Sequence, residues 1–102
     1  MLTYETVLSV FFDYLKEDAD YEVVLTRHGY TVMGWDRYRK DWSNVVYCPT
    51  PTALRDALLD SYARFAEIKV VDGERDLTKK EQAQIKAECQ KLRRKCKEAE
   101  KK

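Results

Sequence analysis

The chain has 102 residues, 44% of them hydrophobic and 36% charged, with three Gly and two Pro. That length suits one domain with one modest core and leaves little material for a deep, walled pocket. The apolar content excludes a wholly disordered chain, no run approaches the roughly 18 apolar residues of a membrane span, and residues 1–15 lack the basic start of a signal peptide, so a protein of the cytoplasm is expected.

Residues 4–17 are predicted to form one helix, with Tyr4, Val7, Leu8, Phe11, Phe12 and Leu15 as its apolar stripe and Thr3 as its N-cap. The acidic run Glu17, Asp18, Asp20 marks a turn. Residues 21–27 and 30–36 are rich in β-branched and aromatic types, and His28-Gly29 between them predicts a hairpin. That register places Leu25 opposite Val32, Val23 opposite Gly34 and Val24 opposite Met33, so both faces of the hairpin carry apolar side chains. After the polar segment Arg37–Lys40, residues 41–48 read as a third strand. Thr50 and Pro51 then suit the N-cap and first turn of a helix carrying Leu54, Leu58, Tyr62, Phe65 and Ile68 at amphipathic spacing.

Asp72-Gly73 predicts a turn, and Thr78-Lys79-Lys80-Glu81 has the form of a capping box. Beyond it Ile85, Cys89, Leu92 and Cys96 form a narrow seam on a charged helix of about 20 residues, about 30 Å long. The seam is too short for a lasting coiled coil and reads as intramolecular packing. The expected architecture is α+β in the order α-β-β-β-α-α, a three-stranded antiparallel sheet packed by helices. Residues 1–73 form the α-βββ-α body, and residues 74–102 a long basic C-terminal helix of the same domain.

The net charge of +1 conceals an asymmetry. Residues 1–73 carry eight Lys/Arg against twelve Asp/Glu, and residues 74–102 carry eleven against six. Such a division bears on association more than on fold.

Chemistry is sparse. The three cysteines, Cys48, Cys89 and Cys96, are an odd number with no CxxC, and the single His28 cannot complete a familiar zinc site. On a helix Cys89 and Cys96 lie about 10 Å apart along the axis, beyond the reach of a disulfide. Buried, reduced thiols are the expectation. There is no GxSxG, HExxH or Gly-rich phosphate loop, and carboxylates such as Asp13, Glu17 and Asp18 do not stand out in so charged a chain. Neither an enzyme nor a cofactor or metal is expected.

Two segments could engage a partner. In the first, Trp35, Arg37, Tyr38, Arg39, Lys40 and Trp42 interleave aromatic and basic side chains around a strand-to-strand loop. Cations and flat rings suit single-stranded nucleic acid, and the same residue types anchor protein interfaces. Alternatively, the two Trp are cross-strand partners and the cations merely solvate a loop. The second is the run Lys91, Arg93, Arg94, Lys95, Lys97, Lys101 and Lys102, which could follow a phosphate backbone or form an ordinary solvated helix face.

The phrases GYTVMGWD (29–36), CPTPTALRDALLDSYARF (48–65) and ERDLT (74–78) resemble small proteins carried on conjugative elements, plasmids and prophages of Gram-positive bacteria. The likeness runs from about Val23 to Cys96 and includes no established catalytic signature. It implies an accessory, non-enzymatic role in a bacterial cytoplasm. Proteins of this size and setting include anti-CRISPR inhibitors of type II systems. The expected partner is therefore a protein, with a type II CRISPR nuclease or its guide RNA as the concrete case. The alternative is RNA or DNA bound by an accessory or regulatory protein of element transfer. No membrane partner is expected, and the chain is taken as a monomer or weak homodimer.

Overall fold

The computed structural model describes residues 1–71 and 75–100, so the turn expected at Asp72-Gly73, together with Lys101 and Lys102, lies outside the described residues. Seven elements follow in order: α1 (Tyr4–Val10), α2 (Phe12–Glu17), β1 (Tyr21–Thr26), β2 (Gly29–Asp36), β3 (Asp41–Cys48), α3 (Pro51–Val71) and α4 (Lys79–Glu100). The α+β class and the three-stranded antiparallel sheet are as expected.

The first helix is broken where the sequence predicted continuity. Thr3 caps it, its hydroxyl accepting the Thr6 N–H at 3.2 Å. At Phe11 the backbone leaves helical geometry (φ −94°, ψ 7°) and resumes as α2. The bend lets Phe11 enter the core completely and turns Tyr14 inward, while Phe12, expected in the apolar stripe, faces solvent. Tyr14 donates a hydrogen bond of 2.7 Å to the buried carboxylate of Asp18, and the other oxygen of that carboxylate accepts the Asp20 N–H at 3.1 Å. Two bonds thus satisfy a charge that closes the α2–β1 turn. Burial, reinforced by Asp18, pushes the Tyr14 hydroxyl pKa well above its ordinary value.

The β1–β2 register also differs from expectation, by two residues. Leu25 pairs with Tyr30, Val23 with Val32, Val24 with Thr31 and Tyr21 with Gly34. The turn consists of Arg27 and His28, and the positive φ falls on Gly29 at +96°, at the head of β2. Thr26 moves the reversal upstream: its hydroxyl accepts the His28 N–H at 3.2 Å and donates to the Gly29 carbonyl at 2.9 Å. This local cap offers the backbone an alternative to the two-residue turn ending in glycine. Because the slip is even, every side chain keeps its predicted face. In the second hairpin Val32 pairs with Val46 and Gly34 with Ser43, leaving Asn44 and Val45 both opposite Met33 as a bulge. Asn44 takes a left-handed conformation there (φ 52°), which Asn tolerates better than most residues.

One face of the sheet is closed by helices. Val32, Cys48, Tyr21, Val23 and Tyr30 join Val7, Phe11, Leu54 and Leu58 in a single core. The Tyr4 hydroxyl donates to the Cys48 carbonyl at 3.0 Å, and its ring tilts against Tyr30 at 4.7 Å. Gly34 makes room for the Tyr21 ring on this face, which would lie 3.3 Å from an added Cβ and would have to give by a few tenths of an ångström. As predicted, Thr50 caps α3, its hydroxyl accepting the Ala53 N–H at 3.2 Å. The capping box is also present, with reciprocal bonds of 3.2 Å and 3.0 Å between Thr78 and Glu81. From there α4 runs back across α3 and α1. Its seam packs inward, with Cys96 fully buried and Cys89 and Leu92 against the core. Helix α3 is therefore an internal layer, meeting the sheet on one side and α4 on the other.

Candidate functional site

The second face of the sheet is built by the alternate residues of the same strands. Val24, Thr31, Met33, Trp35, Trp42 and Tyr47 point away from α3, because neighbours along a strand face opposite ways. None of them belongs to the helical core, and among the described residues no helix packs on this face. Trp35 and Trp42 form a cross-strand edge-to-face pair with centroids 5.1 Å apart, yet remain 38% and 42% exposed. Tyr47 is 58% exposed, with His28 edge-on to it at 5.5 Å. Thr31 alone is sealed in this layer, its hydroxyl bonded to that of Thr26 at 2.9 Å.

The loop between β2 and β3 is a tight turn. The Asp36 carboxylate accepts the N–H groups of Tyr38 (2.9 Å) and Arg39 (3.1 Å), and its carbonyl accepts the Lys40 N–H at 2.8 Å. Lys40 adopts a left-handed φ of 55°, where a Gly or Asn would be expected. Arg37 turns back to Asp20, with both its Nε and a terminal nitrogen 3.0 Å from one carboxylate oxygen. It fastens the turn to the start of β1. Tyr38, Arg39 and Lys40 project into solvent.

The predicted site residues thus separate into two groups. Trp35, Tyr38, Arg39, Lys40 and Trp42 share one end of the open face, while Lys91, Arg93, Arg94, Lys95 and Lys97 lie on α4, a helix that packs on α3 and α1. Part of that basic charge faces acidic groups of the body. Arg93 stands 3.9 Å from Asp56, and Lys91 and Lys95 border a cleft shared with Asp13 and Glu17 of the body and with Glu88 of α4 itself. Helix α4 thus packs through its apolar seam and turns part of its basic charge toward acidic groups of the body, and the described cations of α4 lie away from the aromatic face. All five of these predicted cations are exposed, and Arg94 and Lys97 have no ion-pair partner among the described residues.

Sequence reasoning passed over Val24, Met33 and Tyr47 as surface residues. Their signal was the hairpin with apolar residues on both faces, which needs two covering layers where the chain has helices for one.

Burial pushes the thiol pKa of Cys48, Cys89 and Cys96 upward, which keeps them protonated and unreactive. Among the described residues no three His, Cys, Asp or Glu side chains are grouped to hold a metal, and no helix is long and apolar enough to cross a membrane. No family model, no curated protein and no solved structure matches this chain.

Proposed function

We propose that this chain is a small non-enzymatic binding protein of a bacterial mobile element, and that its working surface is the open face of the sheet with the β2–β3 turn. The observation that carries the reading is the Trp35–Trp42 pair and Tyr47 left half-exposed on a face with no covering layer. Trp, Tyr and Arg in a mixed-charge rim are the residue types that anchor protein interfaces. A protein partner is favoured over nucleic acid because Arg37 is engaged with Asp20 and part of the α4 charge is turned toward the body. The concrete version, supported by the resemblance to mobile-element proteins, is an inhibitor that occupies a type II RNA-guided nuclease.

The test is co-purification with a tagged copy in a bacterium carrying a type II system, alongside a cleavage assay. Recovery of the nuclease and inhibition of cleavage are expected, and Tyr47→Glu should reduce recovery at least tenfold. Unimpaired cleavage at saturating protein, with no nuclease retained, overturns the inhibitor reading. Mixed nucleic acid without nuclease, lost at high salt, would instead favour an accessory protein of element transfer.

A further inference from the structure

Helix α4 has two sides of different charge. Cys89, Leu92 and Cys96 pack on the core, and the half-buried Ile85 continues their seam. At about 100° of turn per residue, Glu81 and Glu88 fall on the flanks of that seam. Glu81 is held there by Arg75 at 2.7 Å. The opposite side collects the cations. Its centre line is Ala83, Ala87, Gln90 and Arg94, with Lys79, Lys86 and Lys97 along one shoulder and Lys80 and Lys91 along the other. All of these residues are exposed.

None of the cations on this side has an ion-pair partner among the described residues. Lys86 borders a cleft with Asp60, and Lys91 one with Asp13 and Glu17, in both cases beyond ion-pair distance. Arg93, which does reach Asp56, lies nearer the seam. Arg94 stands three residues from both Lys91 and Lys97, a spacing at which like charges repel. Glu98 is the single carboxylate among the described residues of this side, and it makes no ion pair with Arg94. A helix that merely solvated itself would alternate its charges here. A polyanion relieves the repulsion.

The form of the polyanion follows from what lies between the cations. No aromatic residue stands on this side, so the platforms on which single strands stack are missing. Two shoulders of lysine with small residues between them suit a groove that has phosphates on both banks. The major groove of B-form DNA is about 12 Å wide and admits an α-helix, itself about 10–12 Å across, whereas that of A-form RNA is too narrow. From Lys79 to Lys97 the shoulder runs about 27 Å at the usual rise per residue. Ala83 and Ala87 permit close approach, and Gln90 and Arg94 are types that pair with the edges of adenine and guanine.

We infer that α4 is a DNA-binding helix whose outward side enters the major groove of a duplex, with its lysines on the phosphates of both strands and Gln90 and Arg94 at base edges. This surface lies away from the aromatic face. It adds a second ligand to the protein partner proposed for that face and does not depend on it.

The test is fluorescence anisotropy of a labelled, mixed-sequence DNA duplex of two helical turns, titrated with the full-length protein. Saturable binding at low salt is expected, with log K falling against log salt at a slope of about −4, since each phosphate contact contributes about −0.9. Lys80→Gln with Arg94→Gln should weaken binding at least tenfold and flatten the slope by about 2. The same charge removed elsewhere, by Lys16→Gln with Arg27→Gln, should change affinity less than twofold. All four positions are exposed, so circular dichroism should show the fold retained in both variants. A duplex whose major groove is filled by glucosylated hydroxymethylcytosine, the single strand and an RNA duplex should each bind at least fivefold more weakly. No binding at low salt, equal losses from the two double variants, or equal affinity for the filled duplex, the single strand or the RNA overturns the assignment. Nuclease recovered in the co-purification without DNA binding here would remove only the role of α4 and leave the open face its partner.

Discussion

Val32 and Met33 are neighbours on the central strand, and they illustrate the difference between the two faces of the sheet. Val32 is fully buried beneath the helices, whereas Met33 is only partly covered by its own strands. Both faces are apolar, so side-chain chemistry did not decide which was closed. The helices did: α1 and α3 occupy one side, and α4 adds a further layer to them instead of covering the other side of the sheet. The closed face provides stability, and the open face keeps aromatic surface available at a cost in solubility.

That contrast can be tested by substitutions, beginning with the deepest. Leu58→Ala, in the layer between sheet and α4, should destabilise the protein by about 3 kcal/mol in chemical denaturation, because the packed site cannot collapse around the cavity. Tyr14→Phe should cost about 2 kcal/mol, since it removes a hydrogen bond to the buried Asp18 carboxylate. Gly29→Ala should cost a similar amount, about 2 kcal/mol, by combining a φ of +96° with a Cβ set against the Cys48 carbonyl. On the open face the values should fall. A double-mutant cycle on Trp35 and Trp42 should return a coupling of about 1 kcal/mol, from their edge-to-face contact. Tyr47→Thr should change stability by less than about 0.5 kcal/mol while reducing partner capture. A loss at Tyr47 as large as that at Leu58 would mean the open face is a structural layer, and the contrast would fail.

The smallest effect is a pH response at the far end of the molecule. Hydrogen bonds from Arg75, and from the Thr78 backbone, lower the Glu81 pKa to about 2. A depressed carboxylate contributes stability above its unfolded value, near 4.5, and loses it as pH falls toward 2. The protection factors of amides in the first turn of α4, corrected for the intrinsic exchange rate at each pH, should therefore fall between pH 4.5 and 2, with little change in those of β2.

Much of this arrangement was legible in the residues. Thr3, Thr50 and the Thr78/Glu81 box act through bonds spanning three residues, and local sequence carries such signals in full. The break at Phe11 was not legible, because the 3.6-residue period is satisfied by Phe11 or Phe12 in turn. Only packing decides which ring enters the core. The hairpin register was hidden for a related reason: Thr26 competes with Gly29 to define the turn, and both readings give the same faces. For the candidate site, the Trp pair and the tight loop could be read directly. The docking of α4 onto an acidic body could not, since charge totals carry no geometry.

The burial of Cys96 bears on the order in which the chain can complete its fold. Leu2 and Cys96, far apart in sequence, belong to one core, and α4 can cover the outer side of α3 only after both helices are available. During synthesis α1, α2, the sheet and α3 all emerge before α4, with Leu59 and its neighbours awaiting their cover. Contacts between distant ends close late because the chain loop between them must be ordered first. Until α4 is in place, the side of α3 turned away from the sheet keeps its apolar surface uncovered.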